Sequence, residues 1–193
     1  MPSPSELQRQ LQRARSNGIV AAAKKAAAAR GLDSAVLLGI ASRESRMGEA
    51  LAADCSGDRG NAYGPFQIDK RYHPRFARRP DRCDPEAGAE KAAEILAQNR
   101  REFSRLPAAV AAYNAGNGSV RAAIEQGKPP DAATTGGDYA SDVLRRAEVL
   151  RPAIQPAIQP ATRSRAGRSP GAAGLLIGGA SLFALSQIST PET

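Results

Sequence analysis

The sequence is poor in aromatic residues, and this scarcity narrows the folds open to it. Only 4% of the 193 residues are aromatic and none is tryptophan, although 41% are hydrophobic. Alanine supplies much of that hydrophobic fraction. Alanine-rich segments with few aromatic residues suit packed helices better than sheets. We therefore expect a mainly α-helical protein.

Histidine and cysteine are also scarce, which argues against several kinds of chemistry. His73 is the only histidine, and no second histidine or cysteine stands at ligand spacing from it, so we expect no metal site. No Ser/His/Asp set for nucleophilic catalysis is present. No glycine-rich phosphate loop is present either, and we expect no cofactor. The two cysteines, Cys55 and Cys83, flank a polar loop. We expect them to form one disulfide in an oxidising compartment, and free thiols are the alternative that their spacing leaves open.

Acidic residues are outnumbered by basic ones, and the net charge is +8. A basic surface indicates an anionic partner, such as nucleic acid, anionic lipid or an acidic cell-wall polymer. We expect no nucleic-acid partner, because no basic-aromatic interleaving, RNP-like motif or Cys/His finger is present. Residues 1–6 lack the basic and apolar regions of a secretory signal, so we expect no signal peptide.

Helical spacing and helix-ending residues divide the first 150 residues into a series of helices. The most apolar helix is predicted from residue 33 or 34 to Met47, with a core-facing stripe formed by Val36, Leu37, Ile40 and Ala41. Residues 49–85 are predicted to be loop, with a short hairpin at 62–69. The other predicted helices cover residues 5–16, 19–30, 86–100, 108–113, 120–126 and 138–150.

The composition changes after residue 150. Proline then recurs at every fourth position up to Pro160, which favours an extended spacer. We expect a main folded domain at 1–150, a Pro/Arg-rich linker at 151–170 and an apolar tail at 171–193. The uncharged part of the tail is shorter than the roughly 20 residues that span a bilayer. The tail is either flexible, or it docks on a membrane or another protein through residues 171–188.

Three carboxylates stand in two contrasting environments. Glu44 lies one helical turn beyond Ile40 on the apolar face, where burial raises the pKa of a carboxyl. Asp58 and Asp69 lie in a polar loop, where ionisation is easy. One protonated and one ionised carboxyl are the equipment of glycoside hydrolysis.

Each carboxylate also has an ordinary structural explanation, and the sequence leaves these alternatives open. For Glu44 the alternative is an ion pair with Arg43 or Arg46. For Asp58 it is an Asx turn in the glycine-rich loop. For Asp69 it is a salt bridge to Lys70 or Arg71.

Five sequence blocks, in this order, resemble goose-type lysozymes, which are relatives of the soluble lytic transglycosylases. The blocks are IASRES at 40–45, GDRGNAYG at 57–64, DKRYH at 69–73, AYNAG at 112–116 and TTGGDYASDV at 134–143. The resemblance covers roughly residues 15 to 150. It implies a lysozyme-like α+β fold that is mainly α-helical. It also implies a small β-hairpin beside a cleft that binds peptidoglycan glycan strands.

The same resemblance implies roles for particular residues. Glu44 takes the position of the general acid, and Asp58 and Asp69 take positions that orient or activate the attacking water. The positions that line the cleft are Gln67, His73, Tyr113, Asn114 and Tyr139. One departure lies at Pro65-Phe66, where the family usually has Leu-Met. Because proline lacks a backbone donor, we expect weaker strand pairing and one altered sugar contact there.

The sequence therefore predicts an enzyme, a muramidase that hydrolyses the bond between N-acetylmuramic acid and N-acetylglucosamine. Both aspartate positions are filled, which favours hydrolysis over the transglycosylase reaction that forms 1,6-anhydromuramyl ends. A catalytically weak wall-binding component is the other alternative. Arginines before the tail predict a cytoplasmic catalytic domain if residues 171–188 span a membrane. That placement suits a phage lysin, or a virion or membrane-associated protein that acts on the bacterial wall.

Overall fold

The computed structural model describes residues 2–155 of the 193-residue chain. Within this range the protein is mainly helical and carries a small three-stranded antiparallel sheet. The expected fold class, mainly α with a small β region, is confirmed. No helix in the described range is long and apolar enough to cross a membrane. The linker beyond residue 155 and the tail at 171–193, including its docking segment at 171–188, lie outside the described residues.

The helices follow the predicted order, with ends that differ by a few residues. They are α1 (Pro4–Ser16), α2 (Ile19–Ala28), α3 (Ser34–Ser45), α4 (Pro74–Ala77), α5 (Pro85–Glu102), α6 (Leu106–Ala115), α7 (Asn117–Glu125) and α8 (Tyr139–Ile154). The strands are β1 (Ser56–Gly57), β2 (Ala62–Tyr63) and β3 (Ile68–Asp69). Helix α4 and strand β1 were assigned to loop from the sequence. Both are too short to show a repeating apolar pattern.

Helix α3 forms the centre of the core. Its first turn is capped by the Asp33 carboxylate, which accepts a hydrogen bond from the Ala35 amide at 2.8 Å. Every residue from Ala35 to Ser42 is buried, because α2, α5 and α8 pack around this helix. The predicted apolar stripe therefore lies in the core, but it is only part of a helix that is buried on all sides.

Helices α3 and α8 approach each other closely at Gly39. A Cβ atom at this position would lie 2.6 Å from the backbone oxygen of Val143, so only glycine allows the contact. The two helices run in opposite directions, because the end of α3 meets the beginning of α8, where Tyr139 contacts Glu44. This packing brings two distant parts of the chain to one place.

The sheet has the order β1-β2-β3 and includes the predicted hairpin at 62–69. Strands β2 and β3 pair with Ala62 opposite Asp69. The expectation that Pro65 weakens this pairing is wrong, because Pro65 lies in the connecting turn and not in the ladder. Its carbonyl instead accepts a hydrogen bond from the Ser45 hydroxyl at 2.7 Å, which ties the hairpin to the end of α3.

Helix α8 continues four residues beyond its predicted end at residue 150. Pro152 lies inside its last turns, where an extended spacer was expected. Tertiary contacts override the proline preference here. Ile154 is only 4% exposed, and Arg15 donates to the Ala153 carbonyl at 2.6 Å. Arg151 also forms a salt bridge of 2.8 Å with Asp33, at the start of α3.

Candidate active site

Glu44 lies in the last turn of α3, where the helix leaves the core. The helix ends one residue later, and Arg46 adopts a left-handed conformation with φ of 52°. Buried Ser45 fixes this end through its bond to the hairpin. The backbone that carries Glu44 is therefore held by the core on one side and by the sheet region on the other.

The carboxyl of Glu44 is crowded by its surroundings, although the residue as a whole is only partly buried. Burial raises the pKa of Glu44 from its ordinary 4.5 to about 7. The hydroxyl of Tyr139 donates a hydrogen bond to Oε1 at 2.5 Å, and this bond and the charge of Arg43 lower the pKa by less. In the described part of the chain, no salt bridge joins Glu44 to Arg43 or Arg46.

Arg43 pairs with two aspartates of the neighbouring segment, and this excludes it as the partner of Glu44. Its guanidinium lies 2.6 Å from Asp142 and 2.8 Å from Asp138. Asp142 is only 1% exposed and also accepts from Arg146 at 2.9 Å. The Arg43 guanidinium carbon lies 5.9 Å from the centre of the Tyr139 ring. Arg43 therefore braces the tyrosine that contacts the acid.

Tyr113 connects helix α6 to the hairpin beside Glu44. Its hydroxyl donates to the Phe66 carbonyl at 2.9 Å, and burial, with a smaller contribution from the charge of Glu44, raises its pKa well above 10. Asn114 is exposed, and its Oδ1 accepts from the Thr135 amide at 2.9 Å. Tyr113 is therefore tied to the hairpin, and Asn114 is tied to the segment that precedes α8. The C-cap position of α6 is Gly116.

Gln67 and His73 lie at the two ends of the segment that contains β3. Gln67 has φ of 49°, donates to the Gly64 carbonyl at 3.0 Å and packs directly on Gly57. His73 is half-buried and occupies the N-cap position of α4. Burial lowers the pKa of His73, and the charge of Lys91 acts in the same direction. Among residues 2–155, no group of three or more His, Cys, Asp or Glu side chains is placed to hold a metal ion.

Asp58 and Asp69 are brought together by Arg71. The Arg71 Nη2 atom lies 2.5 Å from an oxygen of Asp69 and 3.1 Å from an oxygen of Asp58. The salt bridge considered for Asp69 is therefore present, and it extends to Asp58. Hydrogen bonding from Arg71 is the largest influence on Asp69 and lowers its pKa, so this carboxylate stays ionised. Asp58 forms no side-chain bond to its own turn in the described structure, which excludes the Asx turn.

A disulfide joins Cys55 to Cys83, 28 positions apart. Cys55 directly precedes β1, and its carbonyl accepts from the Gly64 amide at 2.9 Å. Cys83 lies two residues before α5. The bond thus ties the sheet that carries Asp58 and Asp69 to the helical core.

The structure brings the sequence-predicted residues into two groups. One contains Glu44 and Tyr139, with Tyr113 close by, and the other contains Asp58 and Asp69 around Arg71. Sequence reasoning missed two bracing roles, that of Arg43 beside Tyr139 and that of Arg71 between the aspartates. The position of Arg71 two residues after Asp69 was a visible signal. No sequence signal connects Arg43 to partners that lie 95 and 99 residues away.

Within residues 2–155, then, a helical core carries a three-stranded sheet, with a partly buried glutamic acid on the central helix and an ionised aspartate at the sheet. This combination defines the α+β lysozyme-like class of proteins. The family model described as Lysozyme g matches residues 17–152. The chain belongs to the lysozyme g family, which confirms the resemblance seen in the sequence.

Individual relatives agree with this assignment. The chain is similar to Lysozyme g of Casuarius casuarius, with 37% identity over 126 residues, and of Gallus gallus, with 34% over 126 residues. Each match covers 62% of this chain. Lysozyme g of Epinephelus coioides is 34% identical over 133 residues, which are 61% of this chain. The matches cover 65%, 57% and 66% of these relatives, so the chain spans less than two thirds of their length.

Proposed function

We propose that the chain is a muramidase that hydrolyses the β-1,4 bond between N-acetylmuramic acid and N-acetylglucosamine in peptidoglycan. The observation that carries this proposal is the environment of Glu44, whose pKa is raised to about 7 by burial. A carboxyl with such a pKa keeps its proton in a large fraction of molecules near neutral pH and can donate it to a leaving oxygen. Membership of the lysozyme g family supports the same reaction.

The three carboxylates take two roles in this reaction. Glu44 protonates the glycosidic oxygen, while Asp58 and Asp69 hold and orient a water on the opposite face of the sugar. Because Arg71 lowers the pKa of Asp69, this residue is ionised at a pH where Glu44 is still protonated. One protonated and one ionised carboxyl are what an inverting glycosidase requires.

Five residues are proposed to bind the sugars around the scissile bond. They are Gln67, His73, Tyr113, Asn114 and Tyr139. The exposed amide of Asn114 is the best supported, because Thr135 occupies its oxygen and its nitrogen forms no bond in the described structure. That nitrogen is free to donate to an N-acetyl carbonyl. A net charge of +8 favours approach to an acidic wall polymer.

The substitution Glu44→Gln tests the assignment of the acid. It keeps the size of the side chain but removes the proton that catalysis uses, so we expect at least a roughly 100-fold loss of wall-clearing rate. Glu49→Gln is the matched control, because Glu49 is a partly exposed partner of Arg13 just beyond α3. If the Glu44 variant clears walls as fast as the control, catalysis by Glu44 is wrong. If wild type and both variants bind walls without clearing them, the chain is a wall-binding component.

Transglycosylation is the second candidate, and one observation favours it. Arg71 already binds oxygens of both Asp58 and Asp69, which leaves less capacity for a water, whereas transglycosylases work with the glutamic acid alone. Product analysis separates the two reactions. Reducing-end sugars are expected for hydrolysis, and 1,6-anhydromuramyl ends would establish transglycosylation instead.

We place this activity at the bacterial cell wall, in a phage lysin or a virion-associated or membrane-associated protein. Support comes from the sequence alone, in which the apolar residues 171–188 follow an arginine-containing linker. A protein recovered only as free secreted material, unattached to any membrane or particle, would contradict this placement.

A further inference from the structure

Arg71 makes a denser set of contacts than any other basic residue on the sheet. Its Nε lies 3.0 Å from both oxygens of Asp69, and its Nη2 lies 2.5 Å from Oδ2 of the same residue. The backbone amide of Arg71 also donates to Asp69 Oδ1 at 2.7 Å. The same Nη2 reaches Oδ2 of Asp58 at 3.1 Å. One guanidinium therefore joins two carboxylates that stand 11 positions apart.

The sheet register explains why the two carboxylates meet. Gly57 on β1 and Asp69 on β3 both pair with Ala62 of the central strand, from opposite sides. Asp58 follows Gly57 directly, so both carboxylates come to the same end of the sheet. Two ionised carboxylates so placed repel each other unless a positive charge lies between them.

Lys70 and His73 lie near the pair but do not take this role. Lys70 donates its ammonium to the Gly60 carbonyl at 2.8 Å. The pKa of His73 is lowered by burial, so it is largely neutral near pH 7. Asp58 Oδ1 accepts no hydrogen bond from any described residue, so the pairing with Arg71 leaves one oxygen of Asp58 open to a water.

We propose that Arg71 is a positioning residue that holds the carboxylates of Asp58 and Asp69 side by side, with an oxygen left to hold the attacking water. This inference rests on the proposed hydrolytic function and adds to it a residue that does not itself touch the substrate. The salt bridge that offered an ordinary explanation for Asp69 is, on this view, part of the catalytic arrangement.

The chain contains a matched control for this pair. Arg79 binds Asp81, also two residues away, through Nε at 2.8 Å and Nη2 at 2.6 Å. The two guanidinium side chains are similarly exposed, 55% for Arg71 and 47% for Arg79. Only Arg71 reaches a second carboxylate. Because both pairs are exposed, loss of either is expected to change stability little, whereas only loss of Arg71 should affect catalysis.

The test compares Arg71→Gln, Arg71→Lys and Arg79→Gln in the full chain, using soluble glycan strands prepared from peptidoglycan. We expect Arg71→Gln to lower kcat about 10- to 100-fold with less than about a threefold change in KM, because misplacing a reacting group costs rates of this size. Arg71→Lys should lose less activity, since lysine keeps the positive charge but lacks the planar guanidinium that binds two carboxylates at once. Arg79→Gln should leave both constants unchanged.

A second measurement does not depend on activity. Arg71 lowers the pKa of Asp69 and Arg79 lowers that of Asp81. In a ¹³C NMR titration, Arg71→Gln should therefore raise the pKa of Asp69, whereas Arg79→Gln should raise that of Asp81 and leave Asp69 unchanged. The proposal is overturned if kcat of Arg71→Gln stays within about threefold of the Arg79→Gln value. It is equally overturned if Arg71→Gln loses activity only together with its melting temperature and Arg71→Lys restores neither.

Failure of this inference is distinguishable from failure of the proposed function. If wild type cleaves glycan and Glu44→Gln does not, a fully active Arg71→Gln refutes the positioning role alone. If wild type releases no sugar ends, the hydrolytic function fails and the role of Arg71 falls with it.

Discussion

At the scale of single residues, the pKa of Glu44 is set by opposing influences on its carboxyl. Burial raises the pKa of Glu44, and the hydrogen bond from Tyr139 and the charge of Arg43 reduce that rise without cancelling it. Arg43 acts weakly because Asp138 and Asp142 share its charge. The pKa of about 7 is thus a compromise that keeps the acid protonated while allowing it to ionise when it has donated its proton.

This balance predicts a pH effect for Tyr139→Phe. In the proposed mechanism the reaction needs protonated Glu44, so we expect the rate to fall as pH rises through the pKa of Glu44, about 7. Removing the hydroxyl removes a bond that favours the ionised form, and burial remains, so the pKa should rise further. We expect the basic limb of the kcat profile to move to higher pH.

Tyr113→Phe is the control for this shift, because its hydroxyl donates to the Phe66 carbonyl and not to Glu44. It should leave the basic limb in place whatever its effect on the rate. A Tyr139→Phe limb that stays in place or moves to lower pH would show that the hydroxyl does not favour the ionised acid.

Single residues also show which contacts of the site can be predicted from the sequence and which cannot. Helical spacing from Ile40 was sufficient to place Glu44 on an apolar face, since this is a local relation of one turn. The contact with Tyr139 joins residues 95 positions apart and depends on how two helices pack. The pattern around Asp69 offered two explanations, a salt bridge and a catalytic role, and the structure contains the contacts that allow both.

At the scale of elements, the α3–α8 pair positions the acid. The backbones approach so closely at Gly39 that a single added carbon would overlap Val143. This distance brings the start of α8 against the end of α3, so the acid and its tyrosine partner sit on the two helices of one tight interface. The packing of α3 against α8 therefore determines the geometry of the site as well as that of the core.

Gly39→Ala is expected to destabilise the protein by roughly 1–3 kcal/mol, because the new methyl group meets backbone that cannot rotate away. Gly118→Ala in α7 is the matched control. A Cβ there meets nothing within 4 Å, so we expect a neutral or slightly stabilising effect of up to about 1 kcal/mol. Urea unfolding of both variants measures the difference. Equal stability of the two variants would mean that the helices can separate without cost.

The end of a helix could be predicted from the sequence where neighbouring residues in the chain determine it. Capping by Asp33 and the stop before Gly48 located α3 to within a few residues. The end of α8 was not predictable, because Pro152 signals a stop while Ile154 is held in the core by distant partners. Strand β1 has only two residues, and its existence depends on pairing with β2.

At the scale of the whole molecule, the core and both groups of site residues fall within residues 2–155, and the apolar segment at 171–188 lies beyond them. The division of labour that we propose gives catalysis to the first part and attachment to the second. This division allows the two properties to be changed independently.

Ile177→Arg in the full chain tests that independence. A charged residue in the middle of an apolar segment costs roughly 2.5–3.5 kcal/mol on insertion into a bilayer. We expect wild type to sediment with vesicles of neutral lipid and the variant to remain in solution, with equal kcat on soluble glycan. Equal sedimentation of both proteins, or none by either, would show that residues 171–188 do not attach the chain to a membrane.

The bond between Tyr139 and Glu44 has a practical consequence for following the protonation of Glu44. The chain has four tyrosines and no tryptophan, so its near-ultraviolet absorption and fluorescence come mainly from tyrosine. One of these tyrosines donates its hydroxyl to Glu44, and a second, Tyr113, is partly buried close to it. Half of the tyrosines therefore lie at or near the carboxyl of Glu44. The native chain carries an optical reporter of its own acid, with no label added and no brighter indole to mask it.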